Sequence, residues 1–263
     1  MKLSIITINR NNSKGLEQTI ESVLAQTFRD FEYVIIDGAS SDGSVDLIRK
    51  YADDIHSWVS EPDKGIFNAM NKGIRRAKGE YLLFLNSGDR LAHPGVLDLL
   101  RDATEDVVYG DIRYEDEVAP FVMPDRLTLE TFLGPSIGHN ASFIKATLFE
   151  KYGLYNEDNK IVSDLEFFMI AIIKHRSTYR HIGQVLTLMQ SGGVSITRSH
   201  EALKKEERMA CFKRAFPEFY NLIAENFRMK EELAFYEQSR PVQFVRKLQQ
   251  GRFNKLKNKY LRH

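Results

Sequence analysis

Apolar runs and amphipathic stretches alternate along the first hundred residues of the chain. Four short runs, rich in Ile, Val, Leu and aromatic side chains, are typical of buried strands. They are residues 3–8, 32–37, 55–60 and 81–85. The segments between them carry apolar residues at the 3.6-residue spacing of a helix. This alternation predicts an α/β fold with a mostly parallel sheet and helices on both of its faces.

The third of these helices has predicted boundary residues. Asp63 is the predicted N-cap of a helix that carries Ile66, Met70 and Ile74, and Gly79 is predicted to close it. A helix that begins near Lys64 would turn its free backbone N–H groups and the positive end of its dipole toward the end of the sheet.

The pattern loosens beyond residue 105 but keeps its α/β character. A strong amphipathic helix is predicted over residues 163–175, with Asp164 in its first turn, and a further strand over 179–189. From about residue 200 the sequence is helical and highly charged. We therefore divide the chain into an α/β domain, residues 1–198, and a helical basic extension, residues 199–263.

Composition excludes several classes of protein. A formal net charge of +1 over 263 residues argues against a dedicated nucleic-acid binder. The single cysteine, Cys211, excludes a disulfide framework and a cysteine-rich zinc site. The longest apolar run, residues 167–173, is far shorter than the ~18 residues that span a bilayer. The apolar run at the N-terminus is too short for a signal peptide, so we expect a cytoplasmic protein.

The last 24 residues carry a concentrated positive charge. Residues 240–263 contain eight Lys and Arg and no Asp or Glu, interleaved with bulky apolar side chains. A solvated helical face and a helix that contacts anionic lipid both fit this pattern. The second alternative predicts peripheral contact with the inner face of the cytoplasmic membrane.

Polar clusters follow three of the predicted strands. They are Thr7 with Asn9 to Asn12, Asp37 to Gly43, and Asn86 to Asp89. One such cluster is typical of a turn, but the carboxyl ends of parallel strands meet at one edge of a sheet, where α/β proteins bind ligands. Asp89, with Asn86 and Asp37 nearby, offers the oxygen ligands that Mg²⁺ or Mn²⁺ prefers. The sequence therefore predicts a site for a metal-bridged anion, with a nucleotide diphosphate as the obvious ligand.

Four stretches of the sequence resemble a known family. The stretches "SIITINR", "VIIDGASSDGS", "EPDKGIFNAMNKGIRRAKGEYLLFLNSGD" and "SDLEFF" closely resemble the inverting glycosyltransferases of family 2, which have the GT-A fold. The resemblance covers roughly residues 1–195. It implies transfer of a sugar from a nucleotide-diphosphate sugar, with a UDP-sugar expected, to a hydroxyl of a glycan or lipid-linked acceptor in bacterial surface-polysaccharide biosynthesis.

The resemblance also implies a donor-binding role for four residues, to which we add Asn9 from the polar cluster after the first strand. Thr7 matches the threonine that touches the nucleotide base, and Asp37 matches the aspartate that binds base and ribose. Asn9, at the end of the same strand as Thr7, is grouped with them. Asp63 and Lys64 match the nucleotide-contacting stretch before the third helix.

The same resemblance implies the catalytic residues. Residues Asn86 to Asp89 stand where the family has its Asp-x-Asp motif, so Asp89 is the implied ligand of the Mn²⁺ or Mg²⁺ ion. Asp164 matches the proposed catalytic base. His139 matches a histidine of related sequences, for which a place near the phosphates and a structural role both stay open. Gly192 and Gly193 fit either a lid over the donor or a simple turn.

The sequence departs from the family pattern at three positions. Asn86 replaces the first acid of the motif, Ser163 replaces the usual acidic neighbour of the base, and Ile8 replaces an aromatic residue. Other functions are less well supported. A nucleotidyltransferase needs a Gly-rich phosphate loop after the first strand, and a dinucleotide oxidoreductase needs G-x-G-x-x-G. The alternatives that stay open are a non-catalytic nucleotide-sugar binding protein and, with less support, a nucleotidyltransferase that makes a sugar nucleotide.

Overall fold

The computed structural model describes residues 1–134, 136–190 and 200–238. The chain forms two compact units, residues 1–211 and 212–263. The predicted domain boundary at residues 198 and 199, the Gly192–Gly193 pair and the basic segment 240–263 all lie outside the described residues. Within the described ranges, no helix combines the length and the apolar character needed to cross a bilayer.

The first half of the chain folds as the alternating pattern predicts. Its elements are β1 (Leu3–Asn9), α1 (Ser13–Leu24), β2 (Phe31–Asp37), α2 (Ser44–Lys50), β3 (Ser57–Ser60), α3 (Ile66–Arg76) and β4 (Tyr81–Phe84). Strands β1, β2 and β4 are completely buried along their length. This burial explains their continuous apolar runs, because a parallel sheet is covered on both faces.

The second half is less regular. Its elements are β5 (Arg90–Leu91), β6 (Val107–Tyr114), β7 (Ser142–Lys145), α4 (Ala146–Tyr152), α5 (Ser163–Phe168), β8 (Tyr179–Met189), α6 (Glu201–Ala215) and α7 (Tyr220–Gln238). The helix predicted over 163–175 is present as α5 continued by a π-helical segment, Met169–Lys174. Helix α7 belongs to the second unit.

In the described residues, the strands form one eight-stranded sheet in the order β3-β2-β1-β4-β7-β6-β8-β5. Strands β3, β2, β1 and β4 run parallel, and β7 is antiparallel to both of its neighbours. The predicted α/β fold with a mostly parallel sheet is confirmed. The register aligns Asn9 with Asp37 and Asp37 with Ser60, so three strand ends lie side by side at one edge.

A cluster of aromatic side chains connects the end of β4 with α5. The rings of Phe149 and Phe167 stack with centroids 4.2 Å apart. Tyr155 contacts Phe167 at 5.5 Å and Phe84 at 5.4 Å. Aromatic pairs at such distances contribute about 0.5–1.5 kcal/mol each beyond the area they bury. The cluster therefore holds the end of β4 against the helix that carries Asp164.

Candidate active site

The aligned ends of β1, β2 and β3 build a polar network around Asp37. Asn9 Nδ2 donates to Asp37 Oδ1 at 2.8 Å, and Ser60 Oγ donates to Oδ2 at 2.6 Å. The Ser40 hydroxyl and backbone N–H donate at 2.6 and 2.9 Å. Burial raises the pKa of Asp37, but the hydrogen bonds from Ser40, Ser60 and Asn9 outweigh it and lower that pKa. Asp37 is therefore a rigidly held carboxylate.

Asn9 has an unused acceptor. Its Oδ1 atom is buried and has no hydrogen-bond partner among the described residues. A buried acceptor without a partner costs about 1–3 kcal/mol. Because Asn9 lines the cleft described below, a donor group of a ligand is the natural partner of this atom.

Thr7 lies deeper than its predicted role requires. It is fully buried, and its hydroxyl shares a 3.0 Å hydrogen bond with the hydroxyl of Tyr33, also fully buried. Thr7 is not part of the cleft lining. Its contact with a nucleotide base stays a prediction.

The prediction that Asp63 caps α3 is wrong. The N-cap is Gly65, whose φ of 133° suits glycine, and α3 begins at Ile66. The Asp63 carboxylate instead accepts the Gly65 N–H at 3.0 Å and lies against Gly38. The backbone turn at Gly65 separates Asp63 from the helix, which explains the error. Lys64 is exposed, and its backbone N–H donates a hydrogen bond to Asn68 Oδ1 at 3.1 Å.

The polar residues after β4, Asn86 to Asp89, form a turn that is held in place by hydrogen bonds from α1. The Asp89 N–H donates to the Asn86 carbonyl at 2.9 Å, and Gly88 has a φ of 102°. The buried Thr19 hydroxyl accepts from the Gly88 N–H at 3.0 Å and donates to the Asp89 carbonyl at 2.8 Å. The turn is therefore fixed in place, and Asp89 is held at the wall of the cleft.

Asp89 is a buried carboxylate with an elevated pKa. The residue is 8% exposed. Burial raises its pKa from 3.8 to about 6, against the opposing effects of the nearby His139 ring, the Asn140 amide and the Gln190 N–H. A negative charge at this position is costly in the ligand-free protein. It would be relieved by a bound cation.

His139 bridges two predicted site residues from distant segments. Its Nδ1 lies 2.8 Å from Asp164 Oδ2, and its Nε2 lies 3.1 Å from Asn86 Nδ2. The side chains of His139 and Asp164 are 17% and 15% exposed. The second oxygen of Asp164 accepts the N–H of Leu165. Asn86 Oδ1 is buried and has no hydrogen-bond partner among the described residues.

These groups surround a cleft of about 620 Å³. Four of the predicted site residues line it, namely Asn9, Asp63, Asn86 and Asp89. His139 also lines it. Asp37 and Asp164 are not in the lining, but each contacts a residue that is. The structure thus places four of the eight predicted site residues in the wall of one cleft and two more, Asp37 and Asp164, directly behind that wall; Thr7 and Lys64 are not part of this arrangement.

Sequence reasoning missed three supporting residues. Thr19 is a polar residue within the buried face of α1, which was the available signal. Ser40 lies in the polar loop after β2, and Ser60 ends β3. The Ser40 bonds to Asp37 are local, between residues three apart. The Ser60 bond depends on the pairing of β2 with β3, which no local pattern reveals.

Carboxylates are spaced widely around the cleft. In the part of the chain that the structure describes, no group of three or more His, Cys, Asp or Glu is close enough to hold a metal by itself. Asp89 is thus not part of a preformed cage of such residues.

The chain matches one family model and several known proteins. The sequence model described as glycosyl transferase family 2 matches residues 4–167. An uncharacterized glycosyltransferase of Mycobacterium tuberculosis is 34% identical over 185 residues, covering 65% of this chain and 69% of that protein. A PGL/p-HBAD biosynthesis glycosyltransferase of Mycobacterium bovis is 30% identical over 173 residues, covering 62% of this chain and 67% of that protein.

Two solved structures show the same fold. S. aureus TarS in complex with UDP-GlcNAc superposes with a TM-score of 0.68 at 18% identity, over 82% of this chain and 68% of that chain. The mannosyltransferase PcManGT from Pyrobaculum calidifontis, in complex with GDP-Man and Mn²⁺, gives 0.61 at 17% identity, over 97% and 80%. These likenesses confirm the GT-A fold. With more than half of its residues matched by the family model, the chain belongs to glycosyl transferase family 2 and is a glycosyltransferase.

Proposed function

We propose that this glycosyltransferase moves a sugar from a nucleotide-diphosphate sugar to an acceptor hydroxyl with inversion at the anomeric carbon. One observation carries the proposal. Asp164 and Asn86, 78 positions apart in the sequence, contact opposite nitrogens of the His139 ring. The residue that would accept the acceptor's proton and the motif that would hold the donor are thereby fixed relative to each other.

The donor is assigned to the end of the sheet. Asn9 and Asp37 would hold the nucleoside, with the unpartnered Asn9 Oδ1 as an acceptor for a base or ribose donor group. Asp63 and Lys64 would contact the nucleotide further along the edge. The TarS and PcManGT complexes contain UDP-GlcNAc and GDP-Man, which supports a nucleotide sugar here. A UDP-sugar is the expected donor.

The residues at the turn after β4 fit a divalent ion. Mn²⁺ and Mg²⁺ prefer oxygen ligands and are often held by one or two carboxylates with substrate phosphates completing the shell. Asp89 offers a buried carboxylate in the cleft wall, and Asn86 Oδ1 offers an oxygen without a partner. PcManGT was solved with Mn²⁺. When bound, the ion would neutralise the negative charge that develops on the leaving diphosphate.

The acceptor side is assigned to Asp164. In the amide orientation that the structure gives, Asn86 Nδ2 donates to His139 Nε2, so His139 Nδ1 carries the proton and donates to Asp164 Oδ2. This bond keeps the carboxylate oriented. Asp164 would take the proton from the acceptor hydroxyl as its oxygen attacks the anomeric carbon. A single attack from the face opposite the diphosphate inverts the configuration.

The acceptor is proposed to be a glycan or a lipid-linked sugar of a surface polysaccharide. The M. bovis relative is named for PGL/p-HBAD biosynthesis, which supports a role in cell-surface glycoconjugate assembly. A cytoplasmic location and membrane contact through residues 240–263 stay predictions.

The configuration of the product tests the inverting mechanism. With an α-linked UDP-sugar donor, we expect a β-linked product, since one displacement reverses the anomeric centre. Proton NMR of the product made during the first turnovers distinguishes the two anomers by their coupling constants. An α-linked product would contradict the single-displacement mechanism, although it would leave glycosyl transfer itself intact.

A pair of His139 variants tests which contact of the ring matters. His139→Asn places an amide near the position of Nδ1, and His139→Gln places one near Nε2. We expect the Asn variant to retain roughly tenfold more kcat than the Gln variant, because a lost hydrogen bond to a charged group costs about 1.5–3 kcal/mol. Steady-state kinetics at saturating donor give the comparison. If both variants lose as much kcat as Asp164→Asn, the imidazole itself accepts the proton.

A further inference from the structure

A buried carboxylate on α6 binds the segment that leads into the candidate catalytic helix. Glu207 is 8% exposed. Its Oε1 accepts the N–H of Lys160 at 2.6 Å, and its Oε2 accepts those of Ile161 and Val162 at 2.9 and 3.3 Å. One side chain thus satisfies three consecutive backbone donors.

These donors have no local alternative. Val162 occupies the N-cap position of α5, where its side chain offers no hydrogen-bond acceptor. Ser, Thr, Asp or Asn normally supplies such an acceptor at a helix start. Here the acceptor comes from a residue 45 positions further along the chain than Val162. The bonds are charge-assisted, which makes them roughly twice as strong as neutral ones.

Further contacts hold the same segment. Asn159 Nδ2 donates to Glu166 Oε2 at 2.7 Å and lies 3.5 Å from Cys211 Sγ, one turn beyond Glu207 on α6. Asn156 Nδ2 also donates to Glu166 Oε2, at 3.2 Å. The segment 156–162 is therefore fixed between α5 and the middle of α6.

The position of this segment matters for the cleft. Lys160 and Ile161 line it, and Asp164 follows two residues after Val162. A shift of the segment would displace both the cleft wall and the candidate base. Misplacing a catalytic group by about 1 Å can cost about 10²-fold in rate.

We propose that Glu207 is a positioning residue for glycosyl transfer, which sets the place of Asp164 and of the acceptor-side wall through the backbone of residues 160–162. This inference rests on the proposed role of Asp164. Glu207 lies beyond residues 4–167, the part of the chain matched by the family model. It therefore makes the middle of α6 a component of the active site rather than an appendage.

Glu207→Gln tests the proposal, with Glu206→Gln as the matched control. Glu206 is the exposed neighbour on the same helix. The Gln side chain keeps the size of Glu207 but removes its charge and turns an N–H₂ group toward backbone donors. Hydrogen–deuterium exchange should become at least tenfold faster at the amides of residues 160–162 in Glu207→Gln. Transfer kinetics should show kcat reduced about tenfold and a raised KM for the acceptor, with an unchanged Kd for the donor. Glu206→Gln should match the wild type in each respect.

A second variant separates positioning from general stability. Glu207→Asp keeps the charge on a shorter side chain, so it should recover part of the kcat lost by Glu207→Gln, and it covers the case in which the Gln variant does not fold. The proposal is overturned if Glu207→Gln and Glu206→Gln have the same exchange rates and kcat, or if donor affinity falls together with kcat. If the wild type transfers no sugar, the proposed function fails instead. The exchange measurement still shows whether Glu207 protects the backbone amides of residues 160–162.

Discussion

Asp164→Asn should abolish sugar transfer and leave donor binding intact. A positioned general base contributes about 10²–10⁴-fold to a rate, so kcat should fall by that factor. The amide keeps the size of the carboxylate and can still accept a hydrogen bond from His139 Nδ1, so the cleft should keep its shape. The Kd for the nucleotide sugar should change less than about threefold, since Asp164 contacts His139 and the N–H of Leu165 rather than the donor end of the cleft.

Asp158→Asn is the matched control for this variant. Asp158 is an exposed carboxylate in the segment before α5, so its loss changes the charge near the site by the same amount. We expect wild-type kcat from it. Comparable transfer by Asp164→Asn and the wild type would remove Asp164 from the role of base. A parallel loss of donor affinity would show that the residue acts on the structure of the cleft.

Asp89→Asn should make the metal-free protein more stable while it removes metal-assisted donor binding. Burial raises the pKa of Asp89 from 3.8 to about 6 in the folded state. At pH values above 6 the folded protein contains a buried negative charge. Because each pKa unit corresponds to 1.36 kcal/mol, the rise from 3.8 to about 6 lowers the free energy of unfolding by about 3 kcal/mol. Asn resembles the protonated acid and avoids this cost. The same substitution removes the one carboxylate assigned to the ion.

The raised pKa of Asp89 also predicts how the free energy of unfolding changes with pH. Because the folded pKa lies above the unfolded value, the favourable contribution of protonated Asp89 is fully present below about pH 4 and is lost as the pH rises through 6. In EDTA, the difference in free energy of unfolding between Asp89→Asn and the wild type should therefore grow between pH 4 and 6 and then level off. Urea unfolding across this range measures it. Asp102→Asn, at an exposed position, should show no such growth.

The opposite result would count against the site. A destabilised Asp89→Asn protein at pH 7.5, with donor affinity that still responds to Mn²⁺, would mean that Asp89 is a structural acid of the turn. Such a result would leave the fold and the family assignment untouched.

The pattern of apolar residues is sufficient to place the residues that we propose to hold the donor. Continuous apolar strands require a doubly covered parallel sheet, and that topology brings Asn9 and Asp37 to one edge. The polar turn after β4 follows from the same argument. Local rules were less reliable where one glycine intervened: the positive φ of Gly65 moves the start of α3 to Ile66, so Asp63 does not cap it.

The contacts between distant segments were not predictable from the sequence. His139 joins Asn86 to Asp164 because β7 pairs with β4 and an aromatic cluster holds α5 beside them. Glu207 reaches residues 160–162 only after α6 has packed against that segment. Neither arrangement has a periodic signature, since each depends on side chains that the fold brings together from separate elements.

Donor binding by the wild type, with and without Mn²⁺, tests the central claim most directly. Isothermal titration calorimetry with a panel of UDP- and GDP-sugars should identify at least one donor whose affinity rises at least tenfold when Mn²⁺ is present, and Asp89→Asn should lose that gain. If no nucleotide sugar binds, or if every affinity is the same in Mn²⁺ and in EDTA, then the cleft between Asn9 and Asp89 is not a metal-assisted donor site.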